Sequence, residues 1–265
     1  MSLAWSAHIS WLFTELPYRE RVTAARRAGF RHIETAWPGR SDGEQLESEL
    51  RLQEGIDVVL LNCDAGDAER GERGFLNDPH RREEAELAFL AAAELAQRIG
   101  APSLNLLVGR DLEGISLSTQ QRSVCDALAA FAPEAAARGL RILLEPVNSI
   151  ESPGYLAPTP RHVLELIEEC GSDALGLLLD LYHVAREGED PLVEIERCSG
   201  LIGHVQISDC PGRGHPGSGA LDFQDILEHL DAGGYAGAVG LEYAPHGSTE
   251  SSLEFLSRSP YPVDL

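Results

Sequence analysis

Four stretches of this chain carry, at or near the end of an apolar run, a side chain that can hold a proton or a cation. Arg141-Ile142-Leu143-Leu144-Glu145 stops at a carboxylate and is then broken by Pro146. Leu177-Leu178-Leu179-Asp180 stops at an aspartate, and Val239-Gly240-Leu241-Glu242 at a second glutamate. His204-Val205-Gln206-Ile207-Ser208 carries an amide near its end. A continuous apolar run reads as a strand buried on both faces, the pattern of a parallel sheet. A bare carboxylate at the end of such a strand is costly unless something compensates its charge. Proline has no N–H for the ladder, so pairing should stop just past Glu145. Taken singly, each acid would be solvated or paired with a local base. Four oxygen-bearing groups on four successive strands are a different matter. Three converging carboxylates with no basic residue close by in their strands would push one another toward the neutral form. A divalent cation removes that penalty. Three anionic oxygens and one amide oxygen suit Mg2+ or Mn2+ better than zinc, so Glu145, Asp180, Gln206 and Glu242 are the expected metal ligands.

The side-chain period of two supports a shared interior face. Asp180 falls on the face of Leu178 and Gly176, Glu242 on that of Gly240 and Ala238, and Gln206 on that of His204. His183, three residues past Asp180, could polarise a substrate oxygen or simply pack in a loop. Arg213 lies in the glycine- and proline-rich stretch 210–219, whose composition suggests a shaped loop. Its guanidinium can reach over the metal and clamp a substrate carboxylate or hydroxyl. Arg70 and Arg73, in a long polar loop over 64–79, are candidates for the same job on a lid. Trp11-Leu12-Phe13 is apolar yet falls in a loop, where it could wall the pocket or pack on the rim. His8 could line the pocket, and His204 reads as a hydrogen-bonded core residue.

The elements that must position these groups alternate from end to end. Strands are expected over 3–10, 32–37, 56–63, 103–109, 141–148, 175–181, 202–208 and 237–243. Helices are expected over 17–28, 43–53, 80–99, 119–138, 159–170, 191–198, 222–232 and 248–258, several of them stopped by glycine. Eight strand–helix pairs without a composition break predict a single-domain α/β protein, a (β/α)8 TIM barrel spanning residues 1–265. A doubly wound open sheet is the structural alternative. In the barrel the active site lies at the C-terminal ends of the strands, where the four polar groups fall.

Composition narrows the partners. The 265 residues carry 43% hydrophobic and 24% charged side chains, ordinary for an enzyme, but the net charge is −22. That charge argues against nucleic acid, which calls for Lys and Arg clusters, and against an anionic membrane surface. No apolar run is long enough for a transmembrane helix, and the N-terminus lacks a signal-peptide pattern. Cys63, Cys125, Cys170, Cys198 and Cys210 are scattered and odd in number, which reads as free thiols in a reducing, cytoplasmic setting. A small-molecule partner is expected; assembly into a homo-oligomer is left open.

Several motifs together resemble the hydroxypyruvate isomerases of the xylose-isomerase-like barrel superfamily. They are Glu145-Pro-x-Asn148, Asp180-x-Tyr182-His183, Gly203-His-Val-Gln206-Ile-x-Asp209-x-Pro-Gly-Arg213 with Pro216-Gly-x-Gly219, and Gly240-x-Glu242-Tyr243. The likeness extends to Phe13-Thr-Glu-x-Pro17, Ala25-x-x-Ala-Gly-Phe30 and Gly71-Glu-Arg-Gly74, nearly the whole chain. It implies a metal on Glu145, Asp180, Gln206 and Glu242, Glu145 and Glu242 as the acid/base pair, and His183 and Arg213 against substrate. Glu151, six residues past Glu145, matches the spacing at which ketose 3-epimerases place a glutamate on a substrate hydroxyl. His8 stands where the isomerases would have a smaller polar residue. The reaction implied interconverts an α-hydroxy ketone and an α-hydroxy aldehyde, as in hydroxypyruvate to tartronate semialdehyde. The metal would hold both substrate oxygens, and the glutamates would move a proton through an enediolate. A hydride shift is the mechanistic rival. The functional rivals are a ketulose 3-epimerase or related sugar isomerase, an endonuclease on abasic DNA (disfavoured by the charge), and a non-catalytic protein that binds a sugar acid.

Overall fold

The structure, a computed structural model, describes residues 3–258. Eight parallel strands close in sequence order: β1 (Ala4–His8), β2 (His32–Thr35), β3 (Asp57–Asn62), β4 (Ser103–Leu106), β5 (Arg141–Leu144), β6 (Leu175–Asp180), β7 (Ile202–Ile207) and β8 (Ala238–Leu241). The last strand returns to the first, with Ala4 opposite Ala238 and Ala7 opposite Leu241. That pairing makes a closed (β/α)8 barrel and rules out the open sheet. The surrounding helices are α1 (Tyr18–Arg27), α2 (Gly39–Leu52), α3 (Arg82–Ile99), α4 (Leu117–Ala137), α5 (Pro160–Cys170), α6 (Leu181–Glu187), α7 (Pro191–Cys198), α8 (Phe223–Ala232) and α9 (Thr249–Ser252).

Alternation along the strands sorts side chains as the period of two requires. Ile142, Leu144, Leu177, Leu179, Val205 and Ile207 belong to the large core cluster that includes the buried faces of the helices. Leu60, Leu143 and Leu178 form a separate small cluster. Leu143 and Leu178 lie two residues before Glu145 and Asp180, so these acids continue the face of the inner plug.

Three expectations shift. The α2 helix starts at Gly39, earlier than expected, and the last helix breaks after Ser252 into a 3-10 segment, Leu253–Arg258. More consequential, Leu181-Tyr182-His183 is not a loop: it opens α6, because the Asp180 side chain accepts the Tyr182 N–H at 2.9 Å and caps the helix. At the other end of β5, the Arg141 guanidinium reaches the Leu201 carbonyl at 3.3 Å, away from the strand-end acids. Among the described residues, no helix is long and apolar enough to cross a membrane.

Candidate active site

β5 delivers Glu145 one residue past its last ladder position, and the side chain is buried. Asn105, on β4, donates its amide to Glu145 Oε2 at 2.6 Å. The Tyr155 hydroxyl donates to the Glu145 carbonyl at 3.1 Å and pins the backbone. Asp180 ends β6 with no exposed surface. Its Oδ1 is used by the helix cap, while Oδ2 has no hydrogen-bond partner. Arg213 Nη2 lies 3.5 Å from Oδ2, and His183 Nε2 3.6 Å from it.

The capping turn explains His183: α6 begins directly at Asp180, so a side chain three residues on folds back over the cap. His183 Nε2 sits 3.6 Å from Glu145 Oε1 as well. The three residues have ligating atoms within 4.8 Å of one another, close enough to share an ion. The other ring nitrogen decides against His183 as a ligand. Nδ1 accepts the Asn148 backbone N–H at 3.4 Å and lies 2.6 Å from the Asn148 side-chain amide nitrogen. A neutral imidazole that accepts at Nδ1 carries its proton on Nε2. Burial, with the positive charges of Arg213 and Arg73, holds the ring well below the usual histidine range and so keeps it neutral. Nε2–H therefore points into the space between two carboxylates as a donor.

β7 brings Gln206 beside Asp180 on one side and Gly240 on the other. Its Nε2 donates to Glu34 Oε2 at 2.8 Å, and its Oε1 is buried without a partner. Glu242, just past β8, accepts from Arg213 Nη2 at 2.7 Å, and its other oxygen lies 3.4 Å from His8 Nε2. His8 is fully buried and neither ring nitrogen has a hydrogen-bond partner among the described residues.

The loop after β7 is shaped, as its composition suggests. Asp209 collects four backbone N–H groups: Cys210 and Leu221 on Oδ1, Gly217 and Gly219 on Oδ2. Arg213, at φ 49, is held in the left-handed region, and its carbonyl accepts the Ala244 N–H at 2.8 Å. The guanidinium lies between two rings, 4.4 Å from the centre of Trp11 and 4.9 Å from that of Tyr182. Trp11 thus walls the site, while Leu12 and Phe13 pack into the main core. Glu151 sits at the outer edge of the same group. It accepts the Tyr182 hydroxyl and lies 3.9 Å from Arg213 Nη1 and 3.7 Å from Arg186 Nε. Arg73 is close enough for its charge to act on His183. Arg70 is highly exposed and pairs with Asp67 at 3.3 Å.

The electrostatic expectation needs one correction. The converging acids do have a basic neighbour, Arg213, which the chain supplies from the loop rather than from a strand. A single guanidinium faces three carboxylates, and the imbalance shows. Burial, together with the charge of Glu242, pushes the Glu145 carboxyl up to about 8. Burial also raises Asp180 well above the usual range; Arg213 opposes this, and Glu242 and Glu145 add to it.

Sequence reasoning did not single out Glu34, Asn105 or Tyr182. Glu34 is fully buried inside the barrel and accepts Ser6 Oγ at 2.8 Å and His204 Nε2 at 2.9 Å besides Gln206. An acid in mid-strand on the face of the inner plug was the one available signal. His204 is the hydrogen-bonded core residue expected.

A family model described as "Xylose isomerase-like TIM barrel" matches residues 22–259. The chain belongs to the xylose isomerase-like TIM barrel family. Within it, the hydroxypyruvate isomerase of Escherichia coli is 32% identical over 98% of this chain and 99% of its own length. The 2-oxo-tetronate isomerase of Haemophilus influenzae is 29% identical over 96% of this chain and 98% of its own length. A solved structure titled AP endonuclease, family 2, from Brucella melitensis superposes with a TM-score of 0.91 and 29% identity, covering 97% of this chain and 99% of that one. Full-length relationship to named isomerases makes this xylose isomerase-like chain an isomerase.

Proposed function

We propose that this protein is a divalent-metal-dependent isomerase of a short hydroxy-keto acid, with hydroxypyruvate and tartronate semialdehyde as the pair interconverted. The observation that carries the reading is the surplus of buried anionic charge at one rim: Glu145, Asp180 and Glu242 with, among the described residues, the Arg213 guanidinium against them. The donor set fits a hard dication. Asp180 Oδ2 and Gln206 Oε1 are buried oxygens with no hydrogen-bond partner, and oxygen ligands suit Mg2+ or Mn2+. Glu145, Asp180, Gln206 and Glu242 would hold the ion. When bound it would supply positive charge to the substrate oxygens on which negative charge develops.

The protein's own groups do the rest. One of Glu145 and Glu242 removes the carbon-bound proton, and the same or the facing glutamate returns it at the neighbouring carbon. The two carboxylates have distinct settings: Glu145 is held by the Asn105 amide, Glu242 by the Arg213 guanidinium. Different settings let two glutamates divide acid and base roles. His183 Nε2–H donates to a substrate oxygen. Arg213, flattened between Trp11 and Tyr182, presents a fixed fork to a substrate carboxylate. Arg73, whose guanidinium donates to the Glu72 carbonyl in the 64–79 loop, adds positive charge toward His183. Glu151, which accepts the Tyr182 hydroxyl, binds at the outer end of the substrate.

A three-carbon acid, a four-carbon 2-oxo acid and a ketohexulose, each incubated in D2O with Mg2+ or Mn2+, separate the readings. Solvent deuterium at the carbon that gains a proton, with turnover fastest on hydroxypyruvate, is the expected result. Turnover only on ketohexuloses would move the assignment to a 3-epimerase, and isomerisation without deuterium uptake would favour a hydride shift.

A further inference from the structure

The buried carboxylate of Glu34 has no place in the chemistry above, yet it lies directly beneath it. We propose that Glu34 is a positioning residue that fixes the side-chain amide of Gln206 with its oxygen toward the cation site; this rests on the reading of Gln206 as a ligand. Three observations carry it. Glu34 has no exposed surface, and three donors from two other strands converge on it: Ser6 Oγ at 2.8 Å, His204 Nε2 at 2.9 Å and Gln206 Nε2 at 2.8 Å. An ionised carboxylate only accepts hydrogen bonds, so it can bind Gln206 through the NH2 group and not through the oxygen. The amide is thereby locked in one of its two orientations, and the oxygen is left as a buried acceptor without a partner.

Gly240 completes the arrangement. A methyl group there would collide with Glu34 Oε1 and press on the Gln206 side chain at 3.0 Å. The glycine on β8 therefore makes room for the carboxylate on β2, across the paired Gln206 and Gly240 backbones. The hydrogen bonds described to Glu34 suit its ionised form: the Ser6 hydroxyl, the His204 ring and the Gln206 amide all present a donor to the carboxylate. Outer groups of this kind orient a ligand rather than touch the ion, and their loss typically weakens metal binding about 10–100-fold.

Glu34→Gln keeps size and an accepting oxygen but adds a donor, so both orientations of Gln206 become permitted. The test is Mn2+ affinity, measured by the loss of the free-ion electron paramagnetic resonance signal, on folded, metal-stripped protein, with a thermal melt of the same samples. Glu34→Gln and Gly240→Ala are each expected to weaken Mn2+ binding about tenfold or more. Gln206→Leu should weaken it at least as much. If Gln206→Leu binds weakly while Glu34→Gln and Gly240→Ala bind as wild type, the positioning role is overturned and Glu34 is only a structural acid. If all three bind Mn2+ as wild type, Gln206 is not a ligand and the reading beneath the inference fails with it. A lowered melting temperature with unchanged Mn2+ affinity counts against the inference, since a purely structural role predicts that pattern.

Discussion

Glu34 and Glu145 are both buried glutamates within one barrel, and their surroundings treat them in opposite ways. Glu34 receives three side-chain hydrogen bonds and sits below the usual carboxylate range despite complete burial. Glu145 receives one, from Asn105, faces the charge of Glu242, and is pushed up to about 8. Burial alone therefore does not mark a functional acid; a shortage of compensating donors does. The lower acid is satisfied by the fold. The upper one is left with a deficit that a ligand can fill.

The contrast breaks if the two sites respond alike to neutral substitutions. Glu145→Gln should fold with unimpaired stability in metal-free protein and lose turnover by about 10^3-fold, within the usual range for removing an acid/base group. Glu242→Gln should lose turnover comparably. Steady-state kinetics beside thermal melts checks both, and near-normal turnover in the pair would remove the acid/base roles. Glu34→Leu should do the reverse of Glu145→Gln. It strands His204 and the Gln206 amide without an acceptor and is expected to lower stability by about 3–5 kcal/mol in denaturant unfolding.

The pH dependence sharpens the same comparison, because the signs are opposite. The folded-state pKa of Glu34 lies below its unfolded value, so its contribution is present above the ordinary value of 4.5 and is lost as pH falls through the folded pKa. The folded-state pKa of Glu145 lies above its unfolded value. Its protonated form is stabilising below 4.5, and that benefit is lost as pH rises toward about 8. In metal-free protein, melts of wild type and Glu145→Gln should diverge steadily in favour of the variant between those limits. A constant difference across the range would mean that Glu145 carries no burial penalty. The smallest effect is expected at Trp11→Leu, which removes one of the two rings against Arg213. About 1 kcal/mol of cation–π support is at stake, a few-fold rise in KM with little change in kcat.

What the sequence could reveal follows from this division. The strand ends at Glu145, Asp180, Gln206 and Glu242 were legible because an acid or amide closing an apolar run violates the pattern of a buried strand. The eight strands were legible for a different reason, the unbroken alternation of strand and helix signals along the chain. The α6 helix was not, because seven residues are too few to show a helical period, and its start depends on a cap from Asp180 that also looks like a strand end. Glu34 was hidden by its ordinary setting in His32-Ile33-Glu34-Thr35, where alternation resembles a half-exposed strand. Its partners Ser6, His204 and Gln206 come from other strands, and only barrel closure brings them together. Arg213 was visible as a loop arginine, but its place between Trp11 and Tyr182 joins three separate segments and has no trace in one dimension.

Titration of metal-stripped protein with Mn2+ at neutral pH, with proton release followed in weak buffer, bears most directly on the uncompensated rim. One ion per chain is expected, with protons expelled as the raised carboxyls of Glu145 and Asp180 ionise, and with binding lost in Asp180→Asn. Absence of binding at millimolar Mn2+, or binding that Asp180→Asn and Glu145→Gln leave unchanged, would contradict the account.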